Sequence, residues 1–149
     1  MFDIISILQK KLPKYKKVLE LGSKEGEDLE LLHGFYEVVA SEDEKIKTRF
    51  LKDKFIDIRV ILIDTISLDT HKKFECIYSN NVLDNLSLEQ ISLSLQNQKN
   101  ILENESLIFH IFDERKVLKE DIKKLVLKNY KILDSKTKDK KFYILAKLL

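Results

Sequence analysis

Gly22 and Gly26 are two of only three glycines in the 149-residue chain, and they stand four positions apart in KVLELGSKEGEDLELLHG, residues 17–34. An apolar run precedes them and a helix-like, acid-rich pattern follows. Such a loop lets the chain turn sharply at Gly22 and approach a neighbour closely at Gly26, with backbone amides at the helix start turned toward an anionic or polar ligand. Its pattern, G-S-K-E-G, is neither G-x-G-x-x-G nor G-x-x-x-x-G-K-[ST], so a phosphate-binding signature is missing. Glu42 lies twenty residues after Gly22, at the end of the next apolar run, where an acid can accept from both hydroxyls of a ribose. Asp64 ends a third run, where it can accept from the exocyclic amine of adenine. Together these residues describe a site for an adenosine with a non-phosphate tail. Plainer uses stand beside that reading: a structural turn for the glycines, a helix N-terminal acid for Glu42 and a loop acid for Asp64.

These residues act together only if the elements carrying them end at one edge. Phe2, Ile5, Leu8 and Leu12 predict a leading helix stopped by Pro13. Val18 to Leu21 predicts a buried strand, and Glu25 to His33 a helix with Leu29, Leu31 and Leu32 on its apolar side and Gly34 as C-terminal cap. Tyr36 to Ser41 is a second strand, followed by a helical EDEKIKTRFL with Ile46, Phe50 and Leu51 as its apolar face. Ile56 to Ile63, Phe74 to Ser79 and Ser106 to Phe112 are further strands. Ser87 and Gln90 form a capping box for a helix reaching about Leu102, with Ile91, Leu93, Leu95 and Ile101 apolar. Glu114 to Leu127 is another helix, and YKILDS and KFYILAKL form an antiparallel hairpin around KTKDK. Alternating strands and helices predict an α/β fold with a doubly wound parallel sheet, whose ligands bind beyond the strand C-termini. The residues at that edge are Glu20 to Gly26, Glu42 and Asp43, Asp64 and Thr65, Asn80 and Asn81, and Phe112 and Asp113.

At these residues the chain resembles class I S-adenosylmethionine-dependent methyltransferases. VLELGSKEG is similar to their first motif, EVVASEDEKI to their second strand with its ribose-binding acid, VILID to the third strand, and FECIYSNNVLDNLSLEQ to the fourth motif and the helix after it. The resemblance covers residues 15–149. It implies a Rossmann-like, mostly parallel seven-stranded sheet with helices on both faces and the last strand inserted antiparallel beside the fifth. It also implies S-adenosylmethionine as cofactor, held by Glu20, Gly22, Ser23, Lys24, Gly26, Glu42, Asp43, Asp64, Thr65 and Asn80. The chain departs from the family at Lys24, where a third glycine is usual, and at Asn81 and Asn85, near where the family often has His. A lysine at that place meets the cofactor's carboxylate or repels its sulfonium.

Composition narrows the remaining classes. With 44% hydrophobic and 35% charged residues, the chain reads as one ordered domain, with a leading helix at residues 1–14 and an α/β core at 15–149. The net charge is only +2, and Arg stands only at 49, 59 and 115, which argues against a nucleic-acid partner. Cys76 is the single cysteine, and no Cys/His cluster has metal-ligand spacing, so a reducing compartment and no metal are expected. The charge order of the N-terminal segment is the reverse of a signal peptide's and no apolar run has the length of a membrane span, so a cytoplasmic location is expected. His110, inside a strand, reads as a core residue and His71 as a surface one; no catalytic base is legible. The short chain favours a small-molecule acceptor, or one presented by a partner protein. Two other readings are a catalytically inactive methyltransferase-like binding or scaffold protein and a Rossmann-type nucleotide enzyme, the latter lacking phosphate-binding features.

Overall fold

Val18 and Leu19 are both fully buried on opposite faces of one strand, as are Cys76 and Ile77 of another. Strands apolar on both sides need cover on both sides. The computed structural model describes residues 1–149. It contains strands β1 (Lys17–Leu21), β2 (Glu37–Glu42), β3 (Arg59–Leu62), β4 (Phe74–Asn80), β5 (Leu102–Asp113), β6 (Tyr130–Lys138) and β7 (Lys141–Leu148). Its helices are α1 (Ile4–Gln9), α2 (Glu27–His33), α3 (Lys45–Lys54), α4 (Leu88–Gln98) and α5 (Lys119–Val126). All seven strands form one sheet in the order β3-β2-β1-β4-β5-β7-β6. The first five strands pair in parallel, and β7 runs antiparallel between β5 and β6. On one face, Ile4, Leu8, Leu29, Leu32 and Leu51 of α1, α2 and α3 pack on Val18, Val38 and Cys76. On the other, Ile91, Leu95, Ile122 and Val126 of α4 and α5 pack on Leu19, Ile77 and Ile108. The seven-stranded, doubly covered architecture is the one expected. No helix is long and apolar enough to cross a membrane.

The chain leaves β1 to one side for β2 and β3 and returns on the other as β4, so a crevice opens above the ends of β1 and β4. Several local expectations shift. Helix α1 is capped by Asp3, whose carboxylate accepts from the Ser6 amide at 3.1 Å and hydroxyl at 2.9 Å. It ends at Gln9, short of Pro13. Strand β3 begins at Arg59 rather than Ile56, because residues 55–58 form a turn that buries Phe55 and Ile58 and leaves Ile56 exposed. Helix α4 stops at Gln98, and a 3-10 turn carries residues 99–101 into β5. Helix α5 starts five residues late, since Asp113 folds residues 113–117 back on itself through the Arg115 amide and the Lys116 and Val117 amides. The KTK of KTKDK extends β6, and the hairpin turns tightly on Asp139 and Lys140, both at positive φ. Gly34 does cap α2, but in the right-handed region at φ −68°, so its conformational freedom is unused.

His110 of β5 is buried in a polar chain through the core. Its Nδ1 accepts from the Ser79 hydroxyl at 2.7 Å, and its Nε2 donates to Gln98 Oε1 at 2.8 Å. Gln98 donates in turn to Ser94 at 3.2 Å, and Ser94 to the Thr65 carbonyl at 2.6 Å. The network ties the loop after β3 to the sheet, and burial pushes the imidazole down to about 3, so the ring is neutral near pH 7.

Gly26 has a structural reason. It sits at φ +94° as the residue before α2, and a Cβ there would run into the ring of Phe55. Gly26→Ala should therefore combine left-handed strain with overpacking and destabilise the fold by roughly 2–4 kcal/mol. Chemical denaturation of Gly26→Ala, Phe55→Leu and the double variant checks this; a strong positive coupling is expected, and independent effects would count against the contact.

Candidate functional site

The loop after β1 is stitched onto β2. The Ser23 amide donates to the Ser41 carbonyl at 2.9 Å, the Ser41 amide to Ser23 Oγ at 3.2 Å, and the Ser41 hydroxyl to the Glu20 carbonyl at 2.6 Å. The Lys24 amide then donates to Glu42 Oε2 at 2.7 Å. These bonds need Gly22, which sits at φ +64° and whose Cβ would stand 2.6 Å from Val82 Cγ2. So the turn after β1 is bonded to β2 and packed against Val82 beyond β4, and Glu42, only 4% exposed, is fixed at the end of β2. Its Oε1 takes no bond from the protein.

Two cavities open from this centre. The first, about 570 Å³, has Gly22, Glu42, Asp43, Thr65 and Asn81 among its polar or backbone walls and Ile46, Phe50, Val82 and Leu86 as its apolar side. The second, about 610 Å³, lies toward α1 and the β6–β7 turn and includes Glu20, Ser23, Asp28, Asn80 and Asp139 in its lining. Lys24 borders both. Its ammonium reaches across to the Asn80 carbonyl at 2.8 Å and the Asn81 carbonyl at 3.4 Å.

The second cavity holds polar atoms in want of donors. Asp28 Oδ2 accepts from the Tyr78 hydroxyl at 2.7 Å and the Asn80 amide nitrogen at 2.9 Å. A carboxylate only accepts, so this contact orients the Asn80 amide and leaves its Oδ1 free. Asn80 Oδ1, Asn81 Oδ1 and Glu20 Oε1 are all buried without a hydrogen-bond partner. Burial pushes the Glu20 carboxyl up to about 7; Ser23 and Lys24 oppose this, and the carboxylates of Asp28 and Glu42 reinforce it. A cluster of acceptors with few donors suits a cation bearing N–H groups.

Of the ten residues the sequence singled out, Gly26 and Asp64 line neither cavity. The space beside Gly26 belongs to Phe55. Asp64 is turned onto its own loop, where Oδ1 accepts from the Ile66 and Ser67 amides, both at 2.8 Å, and these bonds hold its carboxyl below the usual range. The other eight line at least one cavity: Glu20, Gly22, Ser23, Lys24, Glu42, Asp43, Thr65 and Asn80. Sequence reasoning missed the apolar wall. Ile46 and Phe50, expected to share one apolar face with Leu51, are 75% and 49% exposed, while Thr48 and Leu51 face inward. Leu31, expected on the apolar side of α2, is 52% exposed and borders the second cavity. The i, i+4 spacing of Ile46 and Phe50 was the available signal, but spacing alone does not say which face of a helix is covered.

No family model matches the chain, and no curated protein matches it by sequence. Solved structures do. An S-adenosylmethionine-dependent methyltransferase from Clostridium acetobutylicum superimposes with a TM-score of 0.85 at 13% identity, over 97% of this chain and 89% of that one. One from Methanosarcina mazei gives 0.83 at 14% identity, over 100% and 98%. The N-methyltransferase NodS from Bradyrhizobium japonicum, crystallised with S-adenosyl-L-homocysteine, gives 0.82 at 12% identity, over 97% and 83%. The fold is therefore that of the class I S-adenosylmethionine-dependent methyltransferases.

Because Glu20 binds its proton more tightly folded than unfolded, it contributes stability that is fully present below its ordinary value of 4.5 and is lost as pH rises to about 7. Glu20→Gln does not ionise. Its stability relative to the wild type should rise across that window by on the order of 2–3 kcal/mol, read from denaturation at pH 4.5 and 7.5. A difference independent of pH would mean that Glu20 ionises freely in the folded chain.

Proposed function

We propose that the chain is an S-adenosylmethionine-dependent methyltransferase acting on a small acceptor, or on one presented by a partner protein. The observation that carries this reading is Glu42, a buried carboxylate with an uncommitted oxygen, set in the wall of a cavity whose other side is Ile46, Phe50, Val82 and Leu86. A nucleoside has those two halves: a diol that donates two hydrogen bonds and a flat, largely apolar base. On this reading Glu42 holds the ribose, with Asp43 and Thr65 beside it. The unpartnered oxygens of Glu20, Asn80 and Asn81 fit the ammonium end of the same ligand.

S-adenosylmethionine, when bound, supplies a methyl group already activated on a sulfonium. What remains for the protein is to position the acceptor and exclude water. Asp28 and Tyr78 act by orienting Asn80. The acidic lining, with Glu20, Asp28 and Glu42 close together, favours a cationic donor over a neutral one. Glu20, the carboxyl here raised toward neutral pH, stands on this reading at the ammonium end of the ligand, so the site suits an acceptor that arrives neutral as an amine or already ionised. The Lys24 ammonium across the cleft favours a second reading, a methyltransferase-like protein that binds without catalysing.

Calorimetric titration with S-adenosylmethionine and S-adenosylhomocysteine tests the proposal. Binding in the micromolar range is expected, weakened about tenfold or more in Glu42→Ala, since a hydrogen bond to a charged group contributes about 1.5–3 kcal/mol. A folded wild type that binds neither compound would overturn the proposal and leave the non-catalytic reading.

A further inference from the structure

We propose that Lys24 determines which 5′-substituted adenosine the site prefers, because its ammonium is tethered beside the oxygens that the ligand's ammonium would take. This rests on the nucleoside reading of the cleft. Lys24 is anchored at its own amide by Glu42 and reaches with its side chain to the carbonyls of Asn80 and Asn81. It borders both cavities, while Glu20 Oε1, Asn80 Oδ1 and Asn81 Oδ1, on residues lining the second, are without donors. The Lys24 ammonium bonds the two main-chain carbonyls and none of these side-chain oxygens, which are left for a ligand.

A ligand whose tail carries an ammonium at those side-chain oxygens brings a second positive charge beside the lysine. Two ammonium groups on oxygens of the same two residues repel, so the lysine has to withdraw. Its withdrawal is feasible: the residue is exposed, and its side chain makes no other hydrogen bond. The bonds it gives up are subtracted from what the ligand's own ammonium gains. A ligand without an ammonium displaces nothing. Lys24 therefore narrows the preference for amino-acid-bearing adenosines over adenosines with a plain thioether tail.

The backbone supports a role beyond the turn itself. Lys24 sits at φ +55°, a conformation that strains a lysine and suits a glycine. A residue that is locally unfavourable and spans the ligand cleft has its rationale in the side chain.

The test compares S-adenosylhomocysteine with 5′-methylthioadenosine, which lacks the amino-acid end, by calorimetry on the wild type, Lys24→Ala and Lys24→Gly. Glycine suits the positive φ, so at least one variant keeps the loop. The affinity ratio of the first ligand to the second should rise at least tenfold in both variants, equivalent to about 1.4 kcal/mol, with 5′-methylthioadenosine itself changed less than threefold. A ratio unchanged or lowered from the wild type overturns this role of Lys24 while the nucleoside site stands, a lowered one meaning that the lysine holds the tail's carboxylate. Failure of all three proteins to bind either compound overturns the nucleoside reading and this inference with it.

Discussion

The clasp between the loop after β1 and the end of β2 is the constraint on which the rest of the molecule depends. Ser23 and Ser41 exchange backbone and hydroxyl bonds, and the Lys24 amide closes on Glu42. Buried backbone groups must be paired, and at the end of a parallel sheet the ladder can no longer pair them. Here the loop supplies the partners. The same bonds that satisfy the strand ends also immobilise Glu42, so structural closure and site formation are one event.

Around the clasp, the two faces of the sheet serve different ends. On the α4 side, the polar chain from His110 through Gln98 and Ser94 to the Thr65 carbonyl is fully paired. Such a network is rigid because breaking any link leaves a buried polar group unsatisfied. It holds one rim of the first cavity. On the α1–α3 side, the Asp28 carboxylate orients Asn80 but leaves acceptors open toward the second cavity. The polar chain from His110 is thus satisfied behind the sheet edge, whereas the unpartnered oxygens of Glu20, Asn80 and Asn81 belong to residues lining the second cavity, where a ligand can complete them.

Much of this was legible in the chain. The double-sided apolar strands, the spacing of Gly22 to Glu42 and the capping box at Ser87 each arise from local chemistry, and the doubly wound sheet follows from their order. Element ends were less legible. Ile56 reads as strand by composition, but Phe55 and Ile58 are buried by the α3–β3 turn, and that demand prevails over local propensity. Helix faces were less legible again: Ile46 and Phe50 fit an inward stripe as well as an outward one, and only the position of α3 against β2 and β3 selects Leu51 for the core.

The sequence by itself determined the architecture, the edge at which the two cavities open and most of the polar residues that line them, because strand polarity and the alternation with helices carry those to one end of the sheet. Tertiary structure alone decided the rest. It assigned the space beside Gly26 to Phe55, turned Asp64 onto its own loop, and laid the Lys24 side chain across to Asn80 and Asn81. Each of these depends on contacts between residues far apart in the chain, the nearest being Gly26 and Phe55, except at Asp64, where the competing partner is the adjacent backbone. A one-dimensional pattern names a residue's chemistry, but the partner that claims that chemistry is chosen by packing.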